Sequence, residues 1–399
     1  MQSKTAETTF TLTSGPVDAY PAVLRALSRP VLYDYDPAFL QFYEAVNEKA
    51  QRAMRLSTPP TILHGEPVLG LEAAAASLIG RDDVVLNLAS GVYGKGFGFW
   101  AKRYCADLIE IEVPYNEAID PNSVKAALAT RSDITIVSVC HHDTPSGTIN
   151  PVAEIGAMVA RHGGYMIVDA VSSFGGMKID PESCHADIFV TGPNKCLGCP
   201  PGLTLMGISD RGWIRMKNNA LAPRASMLSI LDWEEAWRAE RPFPFTPSVS
   251  EIYALDAALD LYLAEGPERV WARHATTATA CRAGIAAMGL SLWPATTAIA
   301  SPTTTAVRLP PGIEDAALRA AMHDRYGVMV SSGRGETLGR LIRIGHMGPT
   351  ARPLYAVVAL AALGGALGHL GHSVDIGAGV AAAMRITDEA QQLDQGNTS

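Results

Sequence analysis

No basic block appears anywhere in the 399 residues, and 32 Lys and Arg against 40 Asp and Glu leave a net charge of −8. Nothing is available to neutralise a phosphate backbone, which excludes a nucleic-acid footprint. The opening Met1 to Thr13 is polar and lacks the apolar core of a secretory signal, so a cytoplasmic location is expected. The six cysteines (105, 140, 184, 196, 199 and 281) are scattered. Cys196-Leu197-Gly198-Cys199 has no second CxxC to complete a zinc set, so it reads as two small buried residues rather than a metal or redox site. Leu354 to Leu370 carries no charge, yet it contains Gly364, Gly365, Gly368 and His369 and stands alone. It reads as a buried helix, not a membrane span. Internal repeats, low-complexity linkers and charge blocks are also missing.

Two familiar motifs fail on inspection. Gly91-Val92-Tyr93-Gly94-Lys95-Gly96-Phe97-Gly98 does not put GxGxxG after the first strand of a βαβ unit, and Gly94-Lys95-Gly96 lacks the Ser or Thr of a P-loop. His141 and His142 are adjacent, and on a strand they point to opposite faces, so they do not chelate together.

What is present is an alternation. Short apolar runs at Val84 to Ala89, Leu108 to Val113, Ile134 to Cys140, Tyr165 to Asp169, Ile188 to Thr191 and Leu203 to Ser209 read as strands. Helical patterns such as Pro121 to Thr130 and Pro151 to Arg161 lie between them, each opened by a proline. That rhythm predicts a mostly parallel sheet covered by helices, with ligands beyond the carboxyl ends of its strands. After a long helix, Val249 to Glu265, the pattern changes: helix around Val270 to Met288, strand Thr304 to Leu309, helix Glu314 to Tyr326, strand Leu341 to Ile344, then the glycine-bearing helix. A large domain over 21–264 and a smaller α+β domain over 265–399 are expected.

The chemistry concentrates at two positions. Lys195 lies on the turn Thr191-Gly192-Pro193-Asn194-Lys195, and Asp169 ends the run Tyr165-Met166-Ile167-Val168. A lysine on a small-residue turn forms a Schiff base with an aldehyde, and a carboxylate at a strand end keeps a pyridine nitrogen protonated. Together they describe a site for a vitamin B6 ring. Glu66, Tyr93, Thr144 and Ser146 follow other apolar runs and fall on the same predicted rim.

Taken in order, Ala89-Ser90-Gly91-Val92-Tyr93-Gly94, His141-His142-Asp143-Thr144-Pro145-Ser146-Gly147, Val168-Asp169-Ala170-Val171-Ser172-Ser173, Gly192-Pro193-Asn194-Lys195 with Pro200-Pro201-Gly202, and Arg343-Ile344-Gly345 resemble the class V aminotransferases. Alanine:glyoxylate aminotransferase is a familiar member. The resemblance implies the fold of pyridoxal-phosphate-dependent transferases of the aspartate aminotransferase type. It implies that Tyr93 and Val171 flank the ring, that Thr144 sits near its phenolic oxygen, and that Asp169 pairs with its nitrogen. It further implies that Arg343, with help from Arg334, binds a substrate carboxylate. Ser14-Gly15-Pro16-Val17 is similar to the family's opening, so residues 1–20 are expected to contact a neighbouring subunit in a homodimer or homotetramer.

Where the family holds a phosphate, this chain departs from the pattern. Glu66, in His64-Gly65-Glu66-Pro67, stands where members carry a serine, and Pro67 removes a backbone donor. Asn194 replaces a longer glutamine, and Phe243 lies where a tyrosine would reach across from another subunit, leaving Thr246 of that pair. A carboxylate 4 Å from one phosphate charge is repelled by about 4 kcal/mol at an effective dielectric near 20. A carboxylate does accept a hydrogen bond from a neutral hydroxymethyl group. These departures resemble the branch of the family that takes free pyridoxamine as amino donor and pyruvate as acceptor, giving pyridoxal and L-alanine. They imply no separate cofactor, the pyridoxal being held as a Schiff base on Lys195. The alternatives are an ordinary phosphate-dependent transaminase of the alanine:glyoxylate or serine:glyoxylate type, and a non-catalytic B6-binding or sensing protein, which would have no use for Arg343.

Overall fold

The computed structural model describes residues 9–238 and 240–396. Its large sheet has seven strands in the order Thr61–His64, Leu203–Ile208, Ile188–Thr191, Tyr165–Asp169, Ile134–Cys140, Val84–Ala89 and Asp107–Glu112. All run parallel except Leu203–Ile208, which is antiparallel to both of its neighbours. Central strands such as Val84–Ala89 are buried along their whole length, as a sheet covered on both faces requires. Helices Pro67–Leu78, Val92–Tyr104, Pro121–Thr130 and Val152–His162 supply the cover.

The glycine-rich run that resembles a phosphate loop is in fact the helix Val92–Tyr104. Its first turn is held from outside, because Gly91 at its head offers no side-chain cap. That frees a carboxylate from elsewhere to approach the first amides.

A second core gathers around a four-stranded sheet in the order Phe10–Leu12, Val328–Ser332, Leu341–Gly345 and Thr304–Arg308. Helices Pro267–Ala287, Asp315–Tyr326, Pro353–His369 and Ile376–Gly396 pack with it. The apolar run beginning at Leu354 is indeed one of these helices. No described helix is long and apolar enough to cross a membrane.

The N-terminal segment supplies the edge strand of the second sheet. Its described part lies on its own chain: Phe10, Thr11 and Leu12 pair in parallel with Val328, Met329 and Val330, and Leu12 is fully buried in the second core. The first eight residues lie outside the described residues. Phe243 is likewise a core residue of its own chain, 7% exposed and in edge contact with Tyr43 at 5.0 Å. Phe245 and Thr246, just after it, are exposed.

Candidate active site

The carboxyl ends of the parallel strands deliver their loops to one cavity of about 470 Å³. Lys195, Asp169, Tyr93, Val171, Glu66 and Arg334 all line it, together with Asn194 and the Gly15-Pro16 segment. Residues far apart in the chain thus converge as the strand pattern predicts.

Asp169 is 9% exposed. Burial pushes its carboxyl up to about 6, a shift opposed by the Val171 amide, which donates at 2.9 Å, and by the Cys140 thiol and Lys195. Lys195 moves the other way: burial brings its ammonium down to about 8, and the nearby Arg343 charge adds to the drop. A lysine so placed is a usable nucleophile and base near neutrality, which an exposed lysine is not. Its Nζ donates to the Ser14 carbonyl at 2.7 Å, so the N-terminal segment closes over the amine.

Tyr93 is placed by a carboxylate fifty residues away. Asp143, fully buried, accepts from the amides of Tyr93 at 2.7 Å and Gly94 at 3.3 Å, capping the helix that carries the ring. The approach requires a glycine before it, because a Cβ on Gly91 would lie 2.2 Å from the Asp143 Cγ. Nothing in the sequence singles out Asp143 for this role, because an acid three residues after a strand end is a common pattern.

Glu66 is exposed at the rim and occupies the cap position of helix Pro67–Leu78 without making a cap hydrogen bond. The side chain is therefore not committed to its own helix. Asn194, 7% exposed, leaves its Oδ1 without a partner. Thr144 and Ser146 do not line the cavity. Both are buried, and the Ser146 hydroxyl bonds to the Asp143 carbonyl at 3.0 Å and to Thr148 at 2.6 Å within a short hairpin.

Arg343 opens onto an adjoining cavity of about 640 Å³, and Arg334 borders both spaces. The Arg343 Nε donates to the Ser332 carbonyl at 2.7 Å, which leaves its terminal nitrogens for a ligand. Arg334 contacts the Tyr93 hydroxyl at 3.3 Å. Burial lowers Arg343 to about 10 without discharging it near neutrality. Cys196 and Cys199 are buried thiols held protonated by burial. Among the described residues no group of three His, Cys, Asp or Glu is arranged to hold a metal.

The class V aminotransferase family model matches residues 98–347, which is more than half of the chain. The chain belongs to the class V aminotransferases. Within that family it is 70% identical to the pyridoxamine–pyruvate transaminase of Mesorhizobium japonicum, over 96% of this chain and 98% of the relative. The solved structure of pyridoxamine-pyruvate aminotransferase from Mesorhizobium loti superposes with a TM-score of 0.96 at 69% identity, covering 97% of this chain and 98% of that one. A more distant class V member, the ureidoglycine-glyoxylate aminotransferase of Bacillus subtilis, gives a TM-score of 0.89 at 28% identity, over 95% and 97% of the two chains.

Class V aminotransferases work with a pyridoxal ring, which serves as an electron sink once its nitrogen is protonated. The cavity fits the ring: a buried carboxylate for its nitrogen, a lysine for its aldehyde, and Tyr93 and Val171 among its walls. At the helix head where a dianion would take backbone amides, it meets the Glu66 carboxylate, and Pro67 has no N–H to give.

Proposed function

We propose that this class V aminotransferase transfers the amino group of free pyridoxamine to pyruvate, giving pyridoxal and L-alanine. The observation that carries the reading is the uncommitted Glu66 carboxylate on the cavity rim, in front of a proline-headed helix. Likeness to relatives named for this reaction supports it.

In this reading Asp169 keeps the ring nitrogen protonated, and Tyr93 and Val171 hold the ring plane. Glu66 accepts the hydrogen bond of the ring's hydroxymethyl group. Arg343 takes the pyruvate carboxylate through its two free nitrogens, and Arg334 assists from the boundary between the two cavities. Lys195, neutral above pH about 8, moves the proton from the carbon that leaves as the aldehyde to the carbon that becomes the alanine α-centre. Between turnovers the same amine holds pyridoxal as a Schiff base, and no separate cofactor is required.

The working form is a homodimer or a larger homo-oligomer. Exposed Val31, Tyr33, Tyr35 and Phe245 are apolar surface for a second copy to cover in this reading. The test of function compares amino transfer to pyruvate from pyridoxamine and from pyridoxamine phosphate; equal or better use of the phosphate would refute the assignment.

A further inference from the structure

Asn87 and Ser138 are register partners on adjacent parallel strands, 0% and 2% exposed. Polar side chains inside strands that otherwise read Val, Leu and Ile have to find partners. The Asn87 amide nitrogen donates to the Gly94 carbonyl and to Glu110 Oε1, both at 3.1 Å. Those two acceptors fix the amide's orientation, so its Oδ1 only accepts. It takes the Ser138 hydroxyl proton at 2.8 Å. A serine hydroxyl has one proton, and this one is spent; Ser138 has only lone pairs left to offer.

Ser138 also lines a small cavity of about 10 Å³ beside the ring site, bounded by Cys140 and Asp169 among others. That is the room of one water molecule. Cys140 and Asp169 pair in register at the ends of their strands. Cys140 lies two residues beyond Ser138, on the same face of the sheet. A water in this cavity bonds to Ser138 only by donating, which leaves its second proton for the one carboxylate in the wall, Asp169. At its far end the chain is anchored by Lys95, which bonds Glu110 at 2.9 Å and Glu112 at 2.7 Å.

We propose that one buried water occupies this cavity and donates to both Ser138 and Asp169, making Ser138, Asn87 and Cys140 positioning residues for the carboxylate that faces the ring nitrogen. The proposal rests on the reading of Asp169 given above. The titratable groups facing Asp169 are Cys140 from the neighbouring strand, Lys195, Glu66 at the head of its helix, Tyr93 from the helix that covers the sheet, and Asp143. A change at Ser138 alters none of them directly.

The experiment follows pyridoxal affinity by absorbance over roughly pH 5 to 9. Wild type should show a lower inflection set by Asp169 and an upper one set by Lys195. Ser138→Ala should raise the lower inflection by about one unit, the effect of losing a hydrogen bond to a charged group, and leave the upper one in place. Ser138→Thr, which keeps the hydroxyl, should restore it. Ser138→Cys, which keeps the volume but accepts a hydrogen bond only weakly, should move the same inflection upward by about half a unit, and provides a second reading if Ser138→Ala does not fold. A crystal structure of the wild type should show the water. An unmoved lower inflection, both inflections moving together, or a dry cavity would overturn the proposal. If wild type binds no pyridoxal at all, the reading of the whole site falls, an outcome distinct from a pyridoxal-binding protein whose inflection stays put.

Discussion

The amine of Lys195 and the carbonyl of Ser14 are joined by a 2.7 Å hydrogen bond that spans 181 residues of sequence. The link depends on the next residue having no side chain, since a Cβ on Gly15 would lie 1.9 Å from Nζ and 3.0 Å from Cε. Its φ of +136° is also a conformation that side chains disfavour. Gly15→Ala should therefore displace the lysine and slow Schiff-base formation with pyridoxal about a hundredfold, read as the rate of the absorbance change. The thermal transition should move little by comparison.

Glu66 predicts a switch in tail preference. Because its carboxylate is exposed, repulsion of a phosphate is closer to the bulk-water value, about 1 kcal/mol per charge at 4 Å, than to the value of about 4 kcal/mol at an effective dielectric near 20. For a nearly doubly charged phosphate that amounts to about a ten- to thirtyfold penalty. Glu66→Ser should recover that factor in pyridoxal phosphate affinity and weaken pyridoxal, as measured by equilibrium titration of both ligands.

The pH profile should climb in two steps. Asp169 has to be ionised to pair with the ring nitrogen, and its carboxyl is raised to about 6; Lys195 has to be neutral, and its ammonium is lowered to about 8. Both requirements are met by losing a proton, so kcat/KM for pyridoxamine should rise with pH through both values rather than trace a bell. A maximum below pH about 6 would contradict the assigned protonation states.

Arg343 is held by one nitrogen and free at the others. Arg343→Ala should raise KM for pyruvate about a hundredfold, the loss of two charge-assisted hydrogen bonds, while pyridoxal still gives its Schiff-base spectrum. Steady-state kinetics alongside the spectrum separate the two effects.

Phe243 should matter for stability before it matters for chemistry. It is packed among Tyr43, Trp233 and Phe39, with ring centroids at 5.0, 5.9 and 6.0 Å. Phe243→Ala should cost about 3 to 5 kcal/mol in chemical denaturation. Phe243→Tyr should leave discrimination against phosphate largely unchanged, because the ring does not line the active-site cavity.

Much of this protein is written locally. The strands Val84–Ala89, Ile134–Cys140, Tyr165–Asp169 and Ile188–Thr191 begin and end where their apolar runs do, since a strand buried on both faces has to be apolar throughout. That Lys195, Asp169 and Glu66 share one cavity was legible because each ends or closely follows an apolar run that becomes a strand of the large sheet. Other features were settled only when distant segments met. The glycine run from Gly91 became a helix because Asp143 supplies its missing cap. The N-terminal segment lies over its own lysine because Leu12 completes the second core. Phe243 turned inward because an aromatic pocket was there to receive it. The lowered lysine and the raised aspartate likewise follow from desolvation and the field of neighbouring charges, which belong to the assembled interior and not to any stretch of sequence.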